Sequence, residues 1–289
     1  MDVVIPAAGI GSRFLPVSHV VPKELLPLGV KPLIHHALDE AERAGFSRAV
    51  VVLSRGKTAI RSYFDPAPEL ESVLTAREQE HGLQLVHEAR AVARRLALTF
   101  VEQPAPLGLG DAVLRCRPIS GDRFGVLLPD DVVPTAEHWT RLRALHAETG
   151  GACLCVRSVP PDQVQRFGIA VCEPVGSALC VRALEEKPRP LEIASDLAVF
   201  GRYIVTAPVL DALAAASFRE GQELQLTTGF AAALRRPPGV FAMRFEGEFF
   251  DGGTPEDYAH AAARFVTRSH PPPAARAAPA TEIGEIAAC

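Results

Sequence analysis

Lysine is scarce in this chain of 289 residues. Of its 30 basic residues only Lys23, Lys31, Lys57 and Lys187 are lysines, and the rest are arginines. A compact ammonium and a planar guanidinium are not interchangeable, so each remaining lysine is a candidate for a specific ionic task. Positive charge is not in excess either. With 34 acidic residues the formal charge is −4, which excludes a global basic field for nucleic acid or an anionic membrane. No uncharged apolar run approaches the roughly 18 residues that suggest a transmembrane helix. The first residues lack the basic and apolar segments of a secretory signal, so a cytoplasmic protein is expected. No Cys-x-x-Cys is present. Cys116, Cys153, Cys155, Cys172 and Cys180 lie in apolar runs and read as buried free thiols. Cys153 and Cys155 flank Leu154, which in a strand sends both thiols to one face.

What is present is core material. Apolar residues make up 48% and charged residues 22%, which excludes a disordered or collagen-like chain. Apolar runs at 3–7, 49–53, 97–101 and 124–128 read as strands. Helical patterns over 32–44, 56–64, 68–76, 83–94 and from 111 alternate with them, so a Rossmann-like α/β arrangement is expected, with a mixed, mainly parallel sheet flanked by helices. Beyond about residue 150 the rhythm changes. Strands at 152–156, 169–172, 178–185, 197–204 and 240–245 predict an added mixed β region, with helices near 207–216, 226–235 and 255–267. One domain over 1–268 is expected. The segment 269–289 is rich in Pro and Ala without periodicity and reads as a disordered tail.

Candidate chemistry sits in the loops. Ala8-Gly9-Ile10-Gly11-Ser12-Arg13 follows the first strand, where backbone amides of a Gly-rich turn can approach phosphate oxygens. Phe14 occupies the place of the third glycine of a dinucleotide fingerprint, and no Gly-Lys-Ser/Thr follows, so neither familiar phosphate loop applies. Arg13 could fork two phosphate oxygens. Two prolines stiffen Pro22-Lys23-Glu24-Leu25-Leu26-Pro27 around a lysine. Asp130 and Asp131 close a buried strand at its carboxyl end, where open α/β sheets bind ligands, and Asp251 follows an aromatic pair. One carboxylate from each place suits Mg²⁺, which takes few protein ligands. Glu186 could accept from sugar hydroxyls, and Lys187 could neutralise a phosphate. Gln103, five residues before Gly108, offers a donor and an acceptor to the imide edge of a base, and an amide free to flip would also accommodate cytosine. Each motif alone also reads as ordinary structure: a tight turn, a surface Lys-Glu pair, a helix cap or a charge cluster.

Taken in order, these segments resemble the sugar-1-phosphate nucleotidyltransferases, and within them the bacterial UTP–glucose-1-phosphate uridylyltransferases. The likeness runs over about 2–266. It rests on the Gly9–Arg13 turn with Phe14-Leu15-Pro16, the Pro22–Pro27 segment, Lys31-Pro32-Leu33-Ile34, Gly108-Leu109-Gly110, Leu128-Pro129-Asp130, Glu186-Lys187-Pro188 and 195–203. The resemblance implies the nucleotide-diphospho-sugar transferase fold, with a nucleotide-binding half over about 1–130 and a sugar-binding half over about 131–268. It implies Mg²⁺-dependent transfer of a nucleotidyl group, most closely from UTP to glucose 1-phosphate, by a homo-oligomer, dimer or tetramer. Arg13, Lys23 and Asp130 would be catalytic. Ala8, Gly9, Gly11, Ser12, Arg13, Gln103 and Gly108 would hold the nucleotide. Gly168, Glu186, Val199 and Gly201 would line the hexose with Lys187 on its phosphate, and Asp130 and Asp251 would bind the metal. Asp111 departs from the usual His, Asp196 from the usual Asn, Thr228 from the usual Asp, and Phe167 from a common Tyr. These departures leave the reaction type intact and leave open another nucleotide, or another sugar or cyclitol 1-phosphate. Because fold alone does not give activity, the alternative from another class is a catalytically silent nucleotide-sugar sensor on the same fold.

Overall fold

A computed structural model describes residues 1–176, 178–189, 195–216 and 221–269. The tail expected over 269–289 lies outside the described residues from 270 onward, and Ser269 closes the last helix.

Strand β1 (Asp2–Pro6) carries Val3, Val4 and Ile5, all fully buried, as a strand covered on both faces requires. The segment that follows is organised by three short 3-10 turns, Ser12–Phe14, Val17–His19 and Lys23–Leu25. A small hairpin of β2 (Pro27–Leu28) and β3 (Lys31–Pro32) ends it. Helix α1 (Leu33–Arg43) buries Ile34, Ala37, Leu38 and Ala41, one stripe at helical spacing. β4 (Arg48–Ser54) leads to α2 (Thr58–Phe64), α3 (Pro68–Ala76) and α4 (Glu80–Arg95). The next strand, β5 (Thr99–Gln103), starts two residues later than the apolar pattern predicts, because Ala97 takes a left-handed turn (φ 42°) on leaving α4. Gln103 therefore becomes the last residue of the strand. Then come α5 (Leu109–Leu114), α6 (Arg117–Ser120), β6 (Phe124–Leu127) and β7 (Asp131–Val132).

Helix α7 (Glu137–Thr149) escapes the sequence pattern. Its buried face carries His138 and His146 beside Trp139 and Leu142, so apolar periodicity does not reveal it. The second half supplies β8 (Ala152–Ser158), β9 (Gly168–Val175), β10 (Ala178–Glu186), β11 (Leu197–Val205), α8 (Ala207–Ala215), α9 (Leu226–Ala233), β12 (Val240–Arg244), β13 (Phe250–Asp251) and α10 (Pro255–Ser269).

Nine strands form one mixed sheet in the order β5-β4-β1-β6-β11-β8-β12-β10-β9. The first four are parallel. Beyond β6 the neighbours are antiparallel except for β8 with β12. Alternate side chains feed two cores. Val4, Val50 and Val126 enter one; Val3, Ile5 and Val51 enter the other. Cys153 and Cys155 share a face with Leu154 on the opposite one. Cys116, Cys153 and Cys155 are buried, and burial pushes the thiols of Cys116 and Cys153 up to about 12. Cys172 and Cys180, on the last two strands, are only half-buried. All five are unpaired.

Outside the large sheet, β13 pairs antiparallel with β7, setting Asp251 opposite Asp131. This two-residue ladder brings a distant segment to the carboxyl end of β6.

Candidate active site

Loops at the carboxyl ends of β1, β5 and β6 enclose a cavity of about 300 Å³. The first turn contributes Ala8, Gly9, Gly11 and Ser12 to its wall. Gly11 is left-handed (φ 73°), and the Ser18 hydroxyl donates to its carbonyl at 2.7 Å. A Cβ on Gly9 would meet nothing within 4 Å. The backbone there is open to an approaching group, as a phosphate turn needs. Arg13 is exposed. Its Nη1 donates to the Gly253 carbonyl at 3.4 Å, which carries the guanidinium to the loop that holds Asp251.

All four lysines face carboxylates. Lys23 Nζ lies 2.6 Å from Asp130 Oδ2, Lys57 Nζ 2.6 Å from Glu24 Oε2, Lys31 Nζ 2.8 Å from Asp39 Oδ2, and Lys187 Nζ 3.7 Å from Glu186 Oε1. Glu24 is buried against Lys57, while Lys23 lines the cavity beside Asp130. Lys23 and Glu24 are thus not a surface pair. Burial pulls the Lys23 ammonium down, but Asp130 and Glu24 outweigh it and hold it above its ordinary value. Burial pushes the Asp130 carboxyl up, and the Lys23 charge and hydrogen bond bring it below the usual range. Burial, then the neighbouring Asp130, raises Asp131 to about 7. Burial raises Asp251 as well, against the Gly253 amide that donates to its Oδ1 at 2.8 Å.

The residues present fit a divalent metal. A Cβ on Gly253 would lie 3.0 Å from Asp251 Oδ1 and 3.9 Å from Asp130 Oδ2, so the glycine leaves a space that both carboxylates border. Among the described residues no group of three or more His, Cys, Asp or Glu forms a metal cage. Asp130 lines the cavity, and Asp251 borders the space beside Gly253 at its edge. Two hard oxygen donors so placed suit Mg²⁺, which keeps water and substrate phosphates as its other ligands.

A buried network holds this corner in place. Arg202 of β11 and Glu40 of α1 are both fully buried. Arg202 Nε donates to Glu40 Oε1 at 2.9 Å and Nη2 to Oε2 at 2.5 Å. Trp139 Nε1 donates to Glu40 Oε1 at 2.8 Å, and His138 Nε2 lies 2.9 Å from the same oxygen. The guanidinium also donates to the carbonyls of Leu128 (3.2 Å) and Asp131 (2.5 Å). These carbonyls bracket Asp130, so the network clamps the backbone that aims its carboxylate.

Gln103 is 3% exposed and lines the cavity. Its Nε2 donates to the Gly108 carbonyl at 3.0 Å and to Asp111 Oδ2 at 2.8 Å. Both amide protons are therefore engaged inside the protein, and the group faces the cavity as an acceptor. Gly108 also lines the cavity, at φ 96°. Its missing side chain makes room chiefly for backbone, since a Cβ would sit 2.6 Å from the Leu224 carbonyl oxygen. Leu224 N donates to the Leu107 carbonyl, and Gly110 N to that of Leu224, both at 2.7 Å. The 221–228 segment thus docks on the Gly-Leu-Gly loop and brings Glu223 and Gln225 to the cavity.

The hexose candidates form a second group, outside the wall of that cavity. A Cβ on Gly168 would lie 2.9 Å from Thr227 Cγ2, 3.2 Å from Glu186 Oε2 and 3.6 Å from Val199 Cγ2. Thr227, which sequence reasoning passed over, donates its hydroxyl to Glu186 Oε2 at 3.0 Å. Gly201 lies apart from them, where a Cβ would meet Asp131 Oδ2 at 2.7 Å. Lys187 is half exposed in a left-handed conformation (φ 49°), and its amide donates to the Phe167 carbonyl at 3.0 Å. Of the departures, Asp111 is buried beside Gln103 and Thr228 is exposed.

A mixed sheet whose four parallel strands carry a glycine turn, a cavity-lining lysine and two aspartates at their carboxyl edge defines a phosphate-handling α/β protein. The model of the nucleotidyl transferase family matches residues 2–268, and the chain belongs to that family. Among curated relatives it is 38% identical over 254 residues to a UTP–glucose-1-phosphate uridylyltransferase of Komagataeibacter xylinus, covering 87% of this chain and 88% of that protein. It is 34% identical to the Pseudomonas aeruginosa enzyme of the same name, covering 89% and 93%. Among solved structures, a UTP-bound UGPase of Acinetobacter baumannii superposes with a TM-score of 0.80 at 32% identity, covering 94% of each chain. A UDP-glucose pyrophosphorylase complexed with UDP-glucose gives 0.80 at 28% identity, covering 92% of this chain and 98% of that one.

Proposed function

We propose that this chain transfers the uridylyl group of UTP to glucose 1-phosphate, releasing pyrophosphate and forming UDP-glucose. The names and bound molecules of its relatives support the choice of substrates. The observation that carries the reading is Lys23 against Asp130 in the wall of the cavity that the open backbone of Gly9 also lines.

A phosphate oxygen of the sugar phosphate attacks the α-phosphorus. The bond to the β-phosphate oxygen breaks, and pyrophosphate departs. Both reactants are anions, so the work is alignment and neutralisation, with no covalent intermediate. The 8–12 turn holds the triphosphate. Lys23 offsets charge building on the α-phosphate, and Arg13 faces the departing pyrophosphate. Gln103 and Gly108 meet the base. Gly168, Glu186, Val199 and Gly201 receive the hexose, with Lys187 on its phosphate. Asp130 and Asp251 would hold Mg²⁺, which when bound adds positive charge against the phosphates. We place the reaction in the cytoplasm, in keeping with five unpaired cysteines. Among the described residues no helix is long and apolar enough to cross a membrane. We further propose a single catalytic domain over 1–268, nucleotide-binding to about 130 and sugar-binding beyond, working as a homo-oligomer, dimer or tetramer. Val20, in the segment after β1, and Val30, at the tip of the β2–β3 hairpin, are exposed apolar side chains that a second copy could cover.

Conversion of UTP and glucose 1-phosphate to UDP-glucose, followed by chromatography, tests this reading through two lysine variants. Lys23→Ala is expected to fold normally and lose turnover by on the order of 10²–10³, the effect of removing one preorganised donor. Near-normal turnover would reject its role. Lys187→Ala is expected mainly to raise KM for the sugar phosphate, because it grips a group that stays bound through the transition state. An equal fall in kcat with KM unchanged would reassign it.

A further inference from the structure

The amide of Gln103 can in principle point either end at a bound base, but its surroundings permit one. Its nitrogen carries two protons, and both meet groups that can only accept, the Gly108 carbonyl at 3.0 Å and Asp111 Oδ2 at 2.8 Å. Reversing the amide would set its oxygen against a carbonyl and a carboxylate, losing two hydrogen bonds, one of them charge-assisted. Asp111 is itself pinned. Arg115 Nε donates to its Oδ2 at 2.7 Å and Nη2 to its Oδ1 at 3.2 Å. Asp111 is 9% exposed and does not line the cavity, so it acts on a base only through Gln103. Gln103 Oε1 meets no donor among the described residues and is not a sealed, unpartnered atom. It opens to the cavity.

We propose that Asp111 is a positioning residue that fixes the polarity of Gln103, so that the site takes a pyrimidine with a proton on N3 and refuses one without. The inference rests on the uridylyl reading above and names what enforces the choice of base. Uracil presents N3–H to an acceptor. Cytosine presents a lone pair at the same atom, and two acceptors face each other. Thymine shares the uracil edge, so this device does not separate them. Had the amide been free, it would flip and serve both pyrimidines.

The test is calorimetric binding of UTP and CTP to the full chain without sugar phosphate, paired with kcat and KM for each. The unaltered chain is expected to favour UTP over CTP by at least about tenfold, since a site left with mismatched polar groups discriminates strongly. Arg115 Nε donates to the same Asp111 oxygen as Gln103 and would hold an asparagine oxygen there. The variant used is therefore Asp111→Asn with Arg115→Leu, which keeps the shape at 111 and frees a donor that lets Gln103 turn over. The UTP to CTP ratio is then expected to fall about tenfold or more, chiefly through KM, while kcat with UTP changes less. Asp111→Ser, whose hydroxyl both donates and accepts, should fall between. On the unaltered chain, N3-methyl-UTP is expected to bind no better than CTP, and 5-methyl-UTP nearly as well as UTP; this arm decides if neither variant folds. A folded protein carrying Asp111→Asn and Arg115→Leu with the original ratio overturns the role of Asp111 and leaves the uridylyl reading standing. N3-methyl-UTP binding as well as UTP overturns the acceptor orientation. An unaltered chain that prefers CTP or a purine triphosphate overturns the uridylyl reading and this inference together.

Discussion

Asp130→Asn and Asp251→Asn are each expected to fold and to lose at least about 10³ in turnover, the scale of removing a main source of transition-state charge stabilisation. EDTA is expected to silence the unaltered chain until Mg²⁺ is restored. The reason is the space beside Gly253. Asp130 and Asp251 border it from two segments brought together by the β7–β13 ladder and by the Gly252 amide, which donates to the Asp130 carbonyl at 2.7 Å. Each change keeps the shape and removes one negative charge. Asp130→Asn also takes the partner of Lys23, so its loss should equal or exceed that of Asp251→Asn. Chelator-treated protein with full activity would remove the two-carboxylate arrangement from the account.

Arg202→Met is expected to destabilise the fold by about 3–5 kcal/mol, because it strands Glu40 as a buried charge without its counter-ion. Urea unfolding measures this directly. Glu40 is fully buried and keeps only His138 and Trp139 once the guanidinium is gone. The double variant Arg202→Met, Glu40→Gln should recover part of the loss, as the uncompensated charge disappears with its partner. Residual turnover should not recover alongside, since the carbonyls of Leu128 and Asp131 still lack the donor that brackets Asp130. Arg202→Met with unchanged stability would show that the pair contributes nothing net.

What the sequence reveals and what it conceals divide along physical lines. Strands such as β1 and β4 and helix α1 are legible because apolar side chains repeat at their own period. Helix α7 is not, because its buried His138 and His146 hold polar partners that lie elsewhere, the Glu40 carboxylate and the Gly151 carbonyl. The phosphate turn, Lys23 and the two aspartates stand out as glycines and charges in loops after strands. Their pairing does not. Lys23 and Glu24 are neighbours in sequence, yet Asp130 lies 107 positions from Lys23 and Lys57 lies 33 from Glu24. Arg202 and Glu40, 162 positions apart, leave no local trace. Gln103 is visible as a polar residue at a strand end, but which of its atoms faces the base depends on Gly108 and Asp111 across a turn. Gly108 is readable as necessary; that it yields to the backbone of Leu224 appears only once the 221–228 segment is docked.

The most direct measurement is pyrophosphate release by the purified chain across a matrix of UTP, dTTP, CTP, ATP and GTP against several sugar 1-phosphates. The largest kcat/KM is expected for UTP with glucose 1-phosphate, with dTTP as a usable second, because one methyl group discriminates by only about 1–3 kcal/mol. Release from no pair, or a purine triphosphate as the best donor, would contradict the proposed function.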